Sequence, residues 1–282
     1  MKKIAFLTGV KMSYPDFETH ILVDELKKLT IEAEIIPWSD NRDWSDYDLV
    51  VIRTTWNYHL NFPKFIDKLK LIESQTKLIN STKIVLWNIH KEYLFELEKS
   101  GIPIVPTKLI RKRTKIDKKW LETIEFDKIV VKPAISLGAI GALKTNINSK
   151  DAILHANELL ENNDVLIQPF VESIYSGEAS LLFFDGKFSH AVQKIPKKGE
   201  YRVQDAYGGS VEPFLPDSYE INIAEKAIKL VPIEPIYARV DFVNYNNSPH
   251  LMELELIEPN IFMRYSDVCI PNFINTLKKQ II

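Results

Sequence analysis

The segment LMELELIEPN, residues 251–260, places three carboxylates within ten residues. Glu253 and Glu255 alternate with Leu254 and Leu256, a period of two that reads as a strand, and side chains two apart on a strand share a face. Two like charges side by side cost stability unless the face is solvated or a cation lies between them. A third carboxylate bears on that choice. Asp241 ends the apolar run YARVD, and the turn signals YNN and SPH return the chain antiparallel. Asp241, Glu253 and Glu255 can then converge on one point. Carboxylates together with phosphate oxygens commonly hold Mg²⁺, so Glu253 and Glu255 are read as a metal-bridged pair. Arg239 shares the face of Asp241 and can neutralise these carboxylates or bind substrate.

The cations point to the same chemistry. Lys132 ends the apolar strand KIVVKPA just before Pro133. A lysine there is costly unless its ammonium meets an anion; alone it would read as a surface lysine, and the carboxylate cluster shifts the balance. Lys91 and the small-residue loop SLGAIGAL complete the set. The stretch GAIGALKT comes close to a phosphate-binding P-loop, but Leu143 stands where the second glycine must let the backbone wrap the phosphate. Lys132 already ends the strand before it, so that reading is rejected. A G-x-G-x-x-G fingerprint is absent.

These residues need elements to position them. IAFLTG, EAEIIPW, YDLVVIRTTW and TKLIN read as strands. They alternate with the helical patterns PDFETHILVDELKKL (apolar at Phe17, Ile21, Leu22, Leu26 and Leu29) and FPKFIDKLKLIES. That alternation predicts an open parallel α/β sheet over residues 1–82, with function at the carboxyl ends of its strands. Arg53, Trp56 and Tyr58 lie just past the third. Beyond it, Asn88 is expected to cap a helix with Leu94 and Leu97 on its apolar face, closed by Gly101. VLIQPFVE is a strand that bends at Pro169. GEASLLFFDGKFSHAVQKIP is a hairpin turning at Asp185-Gly186. A helix, NIAEKAIKLV, precedes the two carboxylate-bearing strands. Three units are expected: 1–82, 83–170 and 171–282.

Composition narrows the classes. The 282 residues are 45% hydrophobic and 26% charged, with a net charge of −2, ordinary for a globular protein. No basic face for nucleic acid is visible, and the run Arg111–Lys119 reads as a solvated linker. Cys269 is the only cysteine, which excludes an intrachain disulfide and a cysteine-rich zinc site. No apolar stretch reaches membrane-spanning length, and a cytoplasmic location is the default expectation. A homodimer is left open.

Taken together, WNIHK, IVVKP, SLGAIGA, VLIQPFVE, SGEAS, YARVD and MELELIEP resemble the ATP-grasp superfamily in its glutathione-synthetase-like branch. RTTWNY and FSHAVQKIPKKGEYRVQDAYGGS bring it close to the cycloserine-pathway O-ureido-serine cyclo-ligase group. The resemblance implies an α/β ATP-grasp fold with an N-terminal pre-ATP-grasp domain and a lid within the central unit. It implies ATP and Mg²⁺, with Mn²⁺ as an alternative ion, acting on a small-molecule carboxylate and an amine. Lys91 and Lys132 would meet the phosphates, under a lid loop around Gly138 and Gly141. The backbone of Phe170 and Val171, beside Gln168, would hold adenine, and Glu178 the ribose. Asp241, Glu253 and Glu255 would hold the metal. The family's E-x-N motif reads Glu253-Leu254-Glu255 here, which adds charge and can change the preferred ion.

The same resemblance makes Arg202 the γ-phosphate arginine, set against an ion pair with Glu200 or Asp205. Lys194 would share that role or be a plain hairpin lysine. Gly208-Gly209 either admit substrate closely or form a turn. In this fold Arg53, with Trp56 on its stem, and Tyr58 face the cleft and can hold a substrate carboxylate. Glu258 would bind an amino group or cap the loop before Pro259. His90 and His190 are read as structural. The implied reaction is acyl-phosphate activation of a carboxylate followed by attack of nitrogen, within one molecule or between two. A non-catalytic nucleotide-binding regulator is the reading from another class.

Overall fold

The computed structural model describes residues 1–10, 16 and 18–281; Phe17, the first apolar position expected of the opening helix, lies outside them. The first unit runs β1 (Lys3–Thr8), α1 (Thr19–Lys28), β2 (Glu32–Pro37), β3 (Leu49–Thr54), α2 (Phe62–Gln75) and β4 (Leu78–Ile79). Its strands pair in parallel in the order β2-β1-β3-β4. Every residue of β3 is buried, as its unbroken apolar run requires of a strand covered on both faces. Asp16 accepts from the backbone N–H of Thr19 at 3.0 Å and from Thr54 Oγ1 at 2.9 Å. One carboxylate thus satisfies the start of α1 and ties it to the end of β3. α1 buries Leu22 and Leu26, while Leu29, expected on the same face, is its exposed C-cap.

The chain continues through α3 (Thr82–Asn88), α4 (Tyr93–Lys99), β5 (Lys108–Ile110), α5 (Lys118–Leu121), β6 (Lys128–Pro133), β7 (Leu143–Asn146), α6 (Lys150–Leu160) and β8 (Val165–Pro169). β5-β8-β6-β7 form a small antiparallel sheet. It has its own core of Ile110, Leu121, Ile129, Val131, Ala156, Leu160, Val165 and Ile167. The last unit is β9 (Glu178–Phe184), β10 (Lys187–Ile195), β11 (Ser210–Phe214), α7 (Ser218–Lys229), β12 (Tyr237–Tyr245), β13 (Ser248–Glu255) and α8 (Cys269–Gln280). Its five strands form an antiparallel sheet, β11-β10-β9-β12-β13. Both tight turns have positive φ at their two central residues, Asp185-Gly186 and Asn246-Asn247, as strand twist demands of two-residue hairpins.

Alternation along β9 decides what each face of this sheet does. Ala179, Leu181 and Phe183 join a core with Leu94 and Leu97 of α4 and Ala224 and Ala227 of α7. Leu182 and Phe184 point the other way, into a core shared with Ile4 and Phe6 of β1 and Phe273 and Leu277 of α8. On that second face the strands end in polar residues, and there the site is built.

Asn88 departs from expectation. It does not cap a helix; it is the last residue of α3, which sequence periodicity did not disclose. Its side chain is buried, donating to the Leu254 carbonyl at 2.7 Å and accepting from the Leu256 N–H at 3.0 Å. A primary amide carries the donor and acceptor of a peptide unit, and here it replaces the missing strand neighbour at the edge of β13. Asn80 does similar work, donating to the carbonyls of Tyr237 (2.9 Å) and Leu256 (2.7 Å). Together they lock the carboxylate-bearing strands to the parallel unit. No helix among the described residues is long and apolar enough to cross a membrane.

Candidate active site

A cavity of about 580 Å³ opens where the three sheets meet. Its floor is one row of side chains across four antiparallel strands. Lys194 pairs in register with Glu178, Ser180 with Asp241, Asp241 with Glu253, and Arg239 with Glu255. Because residues two apart share a face, all of these point the same way, and all but the buried Ser180 line the cavity. Carboxylate oxygens of Asp241, Glu253 and Glu255 lie within 4.8 Å of one another, the convergence that antiparallel pairing of YARVD with MELE predicts.

The cluster is closed by cations. Arg239 grips both oxygens of Asp241 at 2.9 Å and also bonds Glu255. Lys194 bridges Asp241 at 3.1 Å and Glu178, and Ser180 donates to Asp241 at 2.6 Å. Burial opposes ionisation of Asp241, yet Arg239 and Lys194 hold its carboxyl well below the usual range. Glu255 fares differently: burial, only partly countered by Arg239 and reinforced by Glu253 and Asp241, pushes it up to about 7. Desolvating such pairs costs several kcal/mol per ion, so stability alone is a poor reason for the cluster. Three oxygen donors at this spacing suit a hard divalent cation.

Lys91 and Lys132 face the cluster from above. The turn between α3 and α4 carries Lys91, whose ammonium bonds Glu253 at 3.0 Å and the Ser136 carbonyl at 3.2 Å. Burial opposes ionisation of Glu253 too, but Lys91 and Lys132 draw its pKa down. The Lys132 ammonium makes no hydrogen bond or ion pair among the described residues. Burial depresses its ammonium to about 8, against the attraction of Glu253 and with repulsion from Lys91. A half-buried cation with no partner, at the mouth of the Ser136–Ala142 loop, is a seat for an anion.

At the side of the cavity where β8 ends, Gln168, Phe170, Val171 and Glu178 all line the wall. The Phe170 N–H is engaged by the Lys128 carbonyl at 2.8 Å, so its own carbonyl and the Val171 N–H are what this bend can offer a ligand. Gly138 lies on the opposite wall. Arg202 also lines the cavity, but its guanidinium is paired with Glu200 (2.7 and 3.1 Å) and stacked 3.6 Å from the Tyr207 ring centroid. The loop bearing it is drawn tight at Gly209, where a Cβ would come 2.2 Å from the Val203 carbonyl oxygen. That close approach makes Gly208-Gly209 a turn requirement.

The remaining end is built by the parallel unit. Arg53 is 1% exposed; its Nη1 donates to the Pro259 carbonyl at 3.0 Å, and its Nε has no hydrogen-bond partner among the described residues. The Trp56 indole donates to the Glu258 carbonyl at 3.1 Å. Glu258 is 6% exposed with Oε2 unpartnered, and burial, with Glu255 adding to it, pushes its carboxyl well above the usual range. Tyr58 does not line the cavity as expected. It stacks on Phe65 at 4.9 Å and lends its hydroxyl to Glu258 from behind, because the turn after Trp56 buries it against α2. Asp16, Glu18 and Asn260 also line this end and were not foreseen; no local spacing marks them, since they meet only through tertiary packing.

Residues 94–259 match the family described as prokaryotic glutathione synthetase, ATP-grasp domain, and residues 4–80 that described as D-cycloserine synthetase DcsG, N-terminal domain. The cycloserine biosynthesis protein DcsG of Streptomyces lavendulae is 26% identical over 280 residues, covering 94% of each chain. A glutathione synthetase of Prochlorococcus marinus is 26% identical over 144 residues, 48% of this chain and 47% of that one. The crystal structure of D-cycloserine synthetase DcsG superposes with a TM-score of 0.89 at 26% identity, over 99% of this chain and 100% of that one. D-alanine–D-alanine ligase from Bacillus anthracis superposes with a TM-score of 0.74 over 99% of both chains at 16% identity, a likeness of fold.

Proposed function

This chain belongs to the ATP-grasp family of the prokaryotic glutathione synthetase type, and we propose that it activates a small zwitterionic amino acid as its acyl phosphate and closes it onto its own nitrogen. It is an ATP-dependent carboxylate–amine ligase, and ligases of this kind use ATP and a divalent ion. The observation that carries phosphoryl activation is the Lys132 ammonium, unpartnered among the described residues, facing the Asp241–Glu253–Glu255 cluster in one cavity.

In this reading Asp241, Glu253 and Glu255 hold Mg²⁺, or Mn²⁺ in its place. The ion neutralises phosphate oxygens when bound. Lys91 and Lys132 carry the rest of the phosphate charge, and transfer becomes mainly positioning and charge neutralisation. Arg202 leaves Glu200 to grip the transferred phosphoryl group bidentately. Lys194 stays as the counter-ion of Glu178 and Asp241. Glu178 takes the ribose hydroxyls, and the Phe170 carbonyl and Val171 N–H take the adenine edge beside Gln168, under the loop at Gly138.

The acceptor end selects the second substrate. Arg53 Nε faces the carboxylate, with Trp56 as wall. An ammonium beside Glu258 restores the charge that burial suppresses, so Glu258 receives the amino group and Arg239 balances the cluster between them. Ring closure rather than joining two molecules rests on likeness along the whole chain to a protein named D-cycloserine synthetase. The test is purified protein with ATP, Mg²⁺ and a panel of amino acids and ureido amino acids, each alone and in pairs, with ADP and phosphate measured separately. One compound alone should release both. A strict need for two compounds would replace ring closure by two-substrate ligation, and release of AMP would reject the acyl phosphate.

A further inference from the structure

Gln168 lies at the base of the nucleotide end, 2% exposed, and its Nε2 donates to Thr107 Oγ1 at 2.8 Å. Thr107 Oγ1 in turn lies 2.7 Å from the Val105 carbonyl oxygen. Two oxygens that close need a hydrogen between them, and the carbonyl has none, so the threonine proton is committed to Val105. Thr107 can then only accept from Gln168. The orientation of the amide follows from that chain: Nε2 is held inward, and Oε1, which accepts no hydrogen bond among the described residues, is left on the cavity side. Val105 is itself fixed, its N–H donating to the carbonyl of Leu251 in β13 at 3.1 Å.

We infer that Thr107 is a specificity-determining positioning residue, which locks Gln168 as an acceptor toward the base and makes the site select a 6-amino purine over a 6-oxo purine. This rests on the reading of the β8 bend as the nucleotide site. The 6-amino group of adenine carries two N–H donors, of which the Phe170 carbonyl takes one and Oε1 the other. Hypoxanthine presents a carbonyl there, and two acceptors face each other with neither able to rotate away. The substitution Thr107→Ser keeps the hydroxyl and so preserves the chain of bonds. Thr107→Val keeps the shape but gives Gln168 nothing to hold, so its amide could turn to suit either base. A buried polar group built for one partner and left unpaired by another costs roughly ten- to hundredfold in affinity.

The experiment is calorimetric titration of the full chain with ADP and with IDP in the presence of Mg²⁺, for wild type, Thr107→Ser and Thr107→Val. Wild type should bind ADP at least about tenfold more tightly than IDP, Thr107→Ser should keep that ratio within about twofold, and Thr107→Val should shrink it at least about threefold, the Phe170 carbonyl and Val171 N–H keeping the remainder. A merely structural role would weaken both nucleotides equally and leave the ratio unchanged, and that result in Thr107→Val overturns the inference, as does a wild type indifferent to the base. Failure of wild type to bind either nucleotide would instead reject the nucleotide site, and this inference with it.

Discussion

At the sheet end of the cavity, Asp241 is held by Arg239, Lys194 and Ser180, and Glu253 by Lys91. At the end built by the parallel unit, Arg53 Nε and Glu258 Oε2 are buried with no hydrogen-bond partner among the described residues. The contrast separates two ways of preparing a site. The paired row is pre-organised: its geometry is set by strand register before any ligand arrives, and an incoming ion exchanges one set of counter-charges for another. The unpaired atoms are desolvated without a partner, which is tolerable only if a ligand completes them. Lys132 joins the second class although it sits beside the first, and it marks where the two ends meet.

The largest effect should come from removing that junction. Lys132→Ala should lower ATP turnover by at least about a thousandfold, while the melting temperature stays level or rises, because no hydrogen bond or ion pair is lost and relief of a desolvated cation outweighs its lost attraction to Glu253. Turnover retained in this variant would dissolve the contrast and the assignment. Glu258→Gln tests the unpaired end alone. It should cost about a hundredfold in kcat/KM for the amino-acid substrate, with ADP affinity measured by calorimetry unchanged. An equal loss of nucleotide affinity would mean that the ends are not separate.

Asn88→Ala strikes the frame under both ends. It leaves the Leu256 N–H buried and unsatisfied and the Leu254 carbonyl with the Tyr93 hydroxyl alone, at 3.1 Å, so urea denaturation should show a loss of about 2 kcal/mol. Less than about 1 kcal/mol would mean that the β13 edge is held by other bonds. The smallest effect is a pH dependence. Burial, only partly offset by its 2.9 Å bond to the Ile261 carbonyl, lowers the pKa of His190 below 6.5. The unfolded chain then binds the proton first, so stability is complete above about pH 6.5 and falls as pH drops through that value. Glu255 and Glu258, whose carboxyls burial raises, change stability in the opposite sense over the same window, so the His190 contribution is read as a difference: between about pH 7.5 and 5.5 the urea midpoint of wild type should fall relative to that of His190→Gln, and parallel curves would contradict it.

What could be read from the sequence follows the same division. Asp241, Glu253, Glu255 and Lys132 stand out because their signal is local: charges at period two, or at the end of an apolar strand, break a pattern that the strand itself defines. The strand–helix alternation of the parallel unit and both hairpin turns are local for the same reason. Tyr58 was misplaced because its neighbours in sequence say nothing of Phe65, which lies across a helix start. Asn88 was misread because the residue that caps a helix is also the residue that can imitate a peptide unit, and only the position of β13 chooses between them. α3 and α8 escaped periodicity altogether. The partnership of Lys194 with Glu178 depends on a register shift between Phe188 and His190, which no spacing rule anticipates.

The central claim is that the carboxylate is activated by phosphoryl transfer within this one cavity. It is tested most directly by labelling the carboxylate oxygens of the turning-over amino acid with ¹⁸O and analysing the inorganic phosphate released, by mass spectrometry. An acyl phosphate requires one labelled oxygen to leave with each phosphate formed. Unlabelled phosphate, with the label retained in the product or found in AMP, would contradict the account.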